Sequence, residues 1–284
     1  MQRIAISAVK ITAAVFSCLV LFTACENKEQ TNHYSEQKNI ENMKGHNHNH
    51  SHTGTEKKYD ITFKSEPSNM EAVKPAKLYF RPEEVGNSSS VVTLDLVHEM
   101  KVHLFIMSKD LSYFAHEHPD IVADGSYVWE HTFPTGGEYI LFQDYTPSGS
   151  GHQLGKQEIK VSGEEAPARK LGEENLTWES SGYKAILSAE QPVKANASIE
   201  LKASVYKNGK PVTDLDDYLG ALAHVVIVSE NADEFVHVHP MESETSGPDI
   251  LLHTNFPKKG KYKVFMQFKH EGKVHTSSFV INVV

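Results

Sequence analysis

His103-Leu104-Phe105-Ile106-Met107-Ser108-Lys109-Asp110-Leu111-Ser112-Tyr113-Phe114-Ala115-His116-Glu117-His118-Pro119 has a second version in the same chain. It reads His224-Val225-Val226-Ile227-Val228-Ser229-Glu230-Asn231-Ala232-Asp233-Glu234-Phe235-Val236-His237-Val238-His239-Pro240. Each position of the second lies 121 residues after the first, with no insertion. An apolar run opened by a histidine, a Phe two residues ahead of His-x-His and a closing Pro all recur together. This is the signature of a duplicated domain.

The duplication extends outward. Phe133-Pro134 with Gly137, Tyr139 and Phe142 returns as Phe256-Pro257 with Gly260, Tyr262 and Phe265, now 123 residues on, and the same offset carries His152 to His275. Around these landmarks the chain is a series of short segments of period two, as half-buried strands require. They are Tyr59–Phe63, Ala76–Phe80, Val91–Leu96, Lys101–Met107, Tyr127–Phe133, Gly137–Phe142 and Gln157–Val161. Tyr183–Leu187 and Ser198–Tyr206 resume the series, and Asn208-Gly209 is a hairpin turn signal. No segment beyond the N-terminus keeps a helical period. The expected fold is all-β: two tandem β-sandwiches, immunoglobulin-like or cupredoxin-like, over residues 58–163 and 175–284, joined by a charged hinge at 164–174.

His-x-His in a strand places two imidazoles on one face, with Cα atoms about 6.5–7 Å apart. Such a pair can converge on one ion. Pro119 and Pro240 end the strand, so the expected location is the rim of each sandwich. His103 and His224, in central-strand runs, are candidate third ligands; the bland reading makes them core residues bonded to backbone. His152 and His275 are candidate fourth ligands. His98, where the second copy has Leu219, has no counterpart and is set aside. Met107 shares the face of His103, and Met241 follows Pro240; thioether with imidazole suits Cu(I), imidazole with carboxylate Zn(II) or Cu(II). His131, His253 and His270 read as surface residues.

The N-terminal segment has Arg3 and Lys10, then an uncharged run from Ile11 to Ala24, the layout of a secretory signal. Leu21-Phe22-Thr23-Ala24-Cys25 resembles a bacterial lipobox, which makes Cys25 the lipidated first residue after removal of residues 1–24. Cys18 is then lost, and no internal disulfide remains. Net charge moves from −9 to −11, with no basic block; this disfavours nucleic acid. Residues 25–57 are polar and read as a disordered tether. Within it His46, His48, His50 and His52 alternate with polar residues, either a spacer or a metal-capturing arm.

With these residues on view, the chain resembles a set of secreted or lipid-anchored bacterial proteins. Val97-His98-Glu99 before His103-Leu104, and Asp110-Leu111-x-x-Phe114-x-His116-x-His118-Pro119, match its first pattern. Tyr218-Leu219-Gly220-Ala221 before His224, with Phe235-x-His237-x-His239-Pro240, matches its second. Those proteins carry YtkA-like or FixH-like sandwich modules often labelled heavy-metal- or copper-binding. The resemblance implies metal ligation by His103, His116, His118, His224, His237 and His239. The resulting expectation is an extracytoplasmic, lipid-anchored protein of the cell envelope binding copper first and zinc second. It would buffer, store or transfer the ion, with another envelope metal-handling protein as partner. The alternative is a metal-independent structural or interaction module. No nucleophile–base pairing or phosphate loop is present to suggest an enzyme.

Overall fold

The computed structural model describes residues 57–238 and 240–284; Cys25, His46, His48, His50, His52 and His239 lie outside the described residues. The first half runs β1 (Tyr59–Glu66), β2 (Pro75–Glu84), β3 (Val102–Ser108), β4 (Phe114–Glu117), β5 (Asp120–Ile121), β6 (Tyr127–Thr132), β7 (Gly137–Tyr145) and β8 (Gln153–Val161). The second runs β9 (Thr177–Ser180), β10 (Tyr183–Ala189), β11 (Ser198–Lys207), β12 (Lys210–Pro211), β13 (Ala223–Ser229), β14 (Phe235–Val238), β15 (Asp249–Asn255), β16 (Gly260–His270) and β17 (Lys273–Val283). No helix occurs among the described residues.

Each half is a sandwich of two antiparallel sheets. In the first half β1-β2-β6-β5 faces β4-β3-β7-β8; in the second, β12-β11-β10-β9 with β15 on β11 faces β14-β13-β16-β17. Leu78, Phe80, Leu104, Ile106 and Leu141 fill the first core, and Leu201, Val225, Ile227, Met266 and Phe279 the second. Asn208 and Gly209 sit at φ 50° and 77°, the conformation an Asn-Gly hairpin turn requires.

The strands β3 and β13 are buried on both faces. Their second faces explain why these runs are continuously apolar rather than alternating. Phe105, Met107, Ile140 and Phe142 of the first half form one buried cluster with Val226, Val228 and Phe265 of the second. The two inner sheets therefore pack against each other. The seam has pseudo-two-fold symmetry: Phe114 stacks on Phe265 at 4.3 Å between ring centres, and Phe235 on Phe142 at 4.4 Å. Here the duplicated domain makes the self-complementary contact that a symmetric dimer makes between chains.

Two expectations need correction. Val91–Leu96 is not a strand: only Leu94 is buried, and it makes a single bridge to Pro147. With no partner to take its other groups, the segment runs as a loop. The segment at 164–174 is tied to both halves, with the Arg169 N–H donating to Asp110 and the Lys261 ammonium to the Gly172 carbonyl. His131 and His270 are buried, bonded to the hydroxyls of Tyr113 and Tyr183, because their strand positions face the sandwich interior.

Candidate metal centre at the seam

The seam changes chemistry along its length. On β3 the seam-facing residues are Met107, Phe105 and His103, and on β7 they are Ile140, Phe142 and Asp144. The ladders set Phe105 opposite His116 and Val226 opposite His237. They also set His103 opposite Asp144 and His224 opposite Gln267. One end of the seam is thus apolar and the other is imidazole. His103, His116 and His224 are 1%, 7% and 2% exposed, so these three rings lie inside the molecule. His98 and His118 are partly exposed and lie on the side facing solvent.

His103, His116 and His118 offer ligand nitrogens all within 4.8 Å of one another. Their ring centres are 5.3 Å (His103–His116), 5.1 Å (His103–His118) and 4.6 Å (His116–His118) apart. The second half's histidines join the same cluster: His103 lies 5.4 Å from His237, and His116 lies 5.8 Å from His224. His98, set aside on sequence grounds, has its ring 5.6 Å from that of His224.

Hydrogen bonds fix where the protons sit. The Val97 carbonyl lies 2.9 Å from His103 Nε2 and can only accept, so Nε2 carries the hydrogen and Nδ1 the lone pair. Gln267 Oε1 lies 2.9 Å from His116 Nδ1, so that nitrogen donates and Nε2 is the bare one. These two lone-pair nitrogens, His103 Nδ1 and His116 Nε2, are 3.0 Å apart. Two lone pairs at that distance repel unless a cation lies with them. Turning the Gln267 amide over, with Thr276 as its donor, would instead let His116 donate to His103. Burial works against a proton as the cation: it lowers His103 and His118 to about 4 and His116 well below the ordinary imidazole value. A metal ion takes the same lone pairs without that penalty of protonating a buried ring.

The second half repeats the pattern. His224 Nε2 donates to the Tyr218 carbonyl at 3.0 Å, and His237 Nδ1 to Asp144 Oδ2 at 2.7 Å. Their lone pairs are therefore on His224 Nδ1 and His237 Nε2. Each crossing bond joins a histidine of one half to a polar residue of the other, His116 to Gln267 and His237 to Asp144. Bonding of the far ring nitrogen to a carbonyl or carboxylate is how metal-ligating histidines are oriented. Burial alone would raise the Asp144 carboxyl, but hydrogen bonds from His152 and His237 hold it well below the usual carboxylate range.

His152 is brought to the cluster's edge, where Nε2 bonds Asp144 Oδ1 at 2.7 Å and the side chain is largely exposed. It orients the orienting carboxylate. His275 is elsewhere, 4.1 Å from Tyr183 and stacked on Phe268 inside the second sandwich. The ladders explain this. Gln153 opposes Tyr145 in the first half, and His275 opposes Phe268 in the second. The hairpin is one residue shorter there, so Val274 occupies the place of His152, and a one-residue slip turns a side chain to the other face. Met107 packs at the apolar end of the seam and Met241 is exposed. Asp144 and Gln267 escaped the sequence reading, which set His98 aside; both lie on the seam-facing parity of β7 and β16, a signal legible only once that second packed face is known.

Fold and site together define a tandem β-sandwich protein with a histidine-lined seam between its halves. The chain belongs to the family of the domain of unknown function DUF8832, whose model matches residues 55–157 and 178–284. No curated protein matches the sequence. Among solved structures, it is similar to FdeC, an Escherichia coli adhesin, at 12% identity and a TM-score of 0.28, covering 81% of this chain and 66% of that one. A bacterial ice-binding adhesin matches at 6% identity and a TM-score of 0.26, covering 81% and 65%. The D0-D1 domain of intimin matches at 9% and 0.24, covering 80% and 100%.

Proposed function

We propose that this protein is an extracytoplasmic metal-binding protein, anchored to the envelope by lipid on Cys25, that holds copper or zinc for buffering, storage or transfer. The observation that carries the reading is the His103, His116 and His118 triad, whose ligand nitrogens all lie within 4.8 Å of one another, with His103 Nδ1 3.0 Å from His116 Nε2. The donors brought together are imidazoles, with no thioether among them in the described residues; this set suits Cu(II) or Zn(II) better than Cu(I). The lipobox-like Leu21–Cys25, the His46–His52 run as a capture arm, and the resemblance to modules labelled copper-binding point the same way. The protein binds and passes on an ion rather than transforming a substrate.

The second reading is a seam that needs no metal. It is favoured by the crossing bonds from His116 to Gln267 and from His237 to Asp144, which stitch the halves directly. One experiment separates the two. The protein, purified free of metal, is titrated with Cu(II) and with Zn(II) while bound metal and melting temperature are measured. Metal at 100 times Kd should stabilise by about 2.7 kcal/mol. Removing His46 to His52 should lower the stoichiometry but keep that shift, whereas His116→Ala with His237→Ala should abolish it. Unchanged melting and unchanged stoichiometry in the double variant would establish the metal-free reading instead.

A further inference from the structure

The geometry points to a second metal ion bound between the two halves by His98 of the first and His224 and His237 of the second; we propose this as a site that neither half could form alone. It rests on the metal-binding reading of the neighbouring triad and adds an ion that couples the sandwiches.

The backbone places His98 with care. Val97 and Met100 exchange hydrogen bonds of 2.8 and 3.1 Å across a two-residue turn, with His98 and Glu99 at φ 49° and 65°. The same turn in the second half has Leu219 and Gly220 at φ 54° and 74°. Positive φ at both central positions disfavours most side chains. In the first half the ring at this position reaches across the seam, its centre 5.6 Å from His224 and 6.5 Å from His237. Leu219 offers no donor at the equivalent place, so a His98-type ligand exists once in the molecule.

The other two rings are held by their far nitrogens. The Tyr218 carbonyl fixes His224 and leaves the lone pair on Nδ1; Asp144 fixes His237 and leaves it on Nε2. Asp144 belongs to the first half, so the carboxylate–histidine pair that would sharpen this site itself spans the seam. Two imidazoles on one tetrahedral ion have ring centres about 5 Å apart, given metal–nitrogen bonds of about 2 Å. The triad has that spacing. The second set is wider across the seam, with His98 5.6 Å from His224 and 6.5 Å from His237, while His224 and His237 are 6.0 Å apart within the second half. An ion here therefore draws the halves together by about 1 Å, making seam closure depend on occupancy.

The test is native mass spectrometry with Zn(II) on the full chain, with His46, His48, His50 and His52 of the tether replaced by serine. Two bound ions are expected. His98→Asn, a residue that tolerates positive φ, should leave one ion and weaken the second by about 10-fold or more. His118→Ala should lose the other ion, and the double variant both. His98→Leu, the residue the second half already carries, repeats the measurement should the Asn variant fail to fold. A single ion in the parent chain overturns the proposal while leaving the triad standing. So does an unchanged second ion in His98→Asn, or its loss in His239→Ala but not in either His98 variant. No ion at all overturns the metal-binding reading as well.

Discussion

The first half puts Asp144 where the second puts Gln267, and the exchange divides an otherwise symmetric seam. Both residues stand opposite the leading histidine of their own half, and both bond the His-x-His ring of the other. One does so with a buried carboxylate, the other with a neutral amide that also donates to Thr276 at 3.1 Å. At the apolar end, by contrast, the phenylalanine stacks agree within 0.1 Å. After duplication the packing was kept and the polar end diverged. Packing tolerates little asymmetry because each half sees the same complementary surface. The histidine end could specialise, since a carboxylate behind an imidazole strengthens it as a ligand and an amide does so less.

The largest expected effect tests the half of this comparison that is symmetric. Phe142 and Phe265 are 2% and 4% exposed at equivalent places. Phe142→Ala and Phe265→Ala should each cost about 3–5 kcal/mol in chemical denaturation, as for a core phenylalanine. The two values should match within about 1 kcal/mol. Losses near zero would mean the halves are beads on a string; a large mismatch would break the pseudo-symmetry.

Acid should then separate the halves. His131, 7% exposed and bonded to the Tyr113 hydroxyl, is lowered by burial to about 4; the ladders put Thr254 at its place in the second half. The native ring stays neutral while the unfolded ring protonates at its ordinary value near 6.5. Stability from His131 is therefore complete above pH 6.5 and drains by about 1.4 kcal/mol per unit as pH falls, ending near pH 4 with about 3 kcal/mol gone. His131→Thr should flatten this part of the pH profile. An unchanged slope between pH 6.5 and 4 would show that the ring is protonated in the native state.

Asp144→Asn removes the asymmetry itself. The hydrogen bond to His237 becomes neutral, so stability should fall by about 1–2 kcal/mol, and affinity for the ion on His237 by about 10-fold. Gln267→Glu is the opposite experiment and should strengthen the ion on His116. If both substitutions leave metal affinity unaltered, the difference between carboxylate and amide has no functional content.

These contrasts also show what the amino-acid sequence makes visible. Period-two segments and the 121-residue repeat are local patterns, and they carried the two sandwiches and the three recurring histidines of each copy. The seam was less legible. A strand buried on both faces reads as continuous apolar sequence, and nothing in Phe105 or Val226 says that the second face meets the other half. His98 was discarded because the repeat lacks it, whereas the structure brings it to the cluster through that lack of symmetry. His152 and His275 aligned by offset yet occupy opposite faces, because one residue missing from a hairpin is invisible to spacing and decisive for orientation.

The smallest expected effect lies one residue from Asp144. Gln143 is fully buried facing the first core, and neither of its amide atoms has a hydrogen-bond partner among the described residues. The second half has Met266 there, 1% exposed. An amide buried without partners costs about 1–3 kcal/mol, and methionine fills nearly the same volume with no such cost. Gln143→Met should accordingly raise stability by about 1 kcal/mol, seen as a melting temperature about 2–4 °C higher. Gly155 across the ladder leaves room only for a flexible neighbour, since a Cβ there would come within 2.5 Å of Gln143 Oε1. A lower melting temperature would mean that Gln143 has a polar role in the first core that Met266 cannot serve. The divergence of the halves would then extend from the seam into the sandwich behind it.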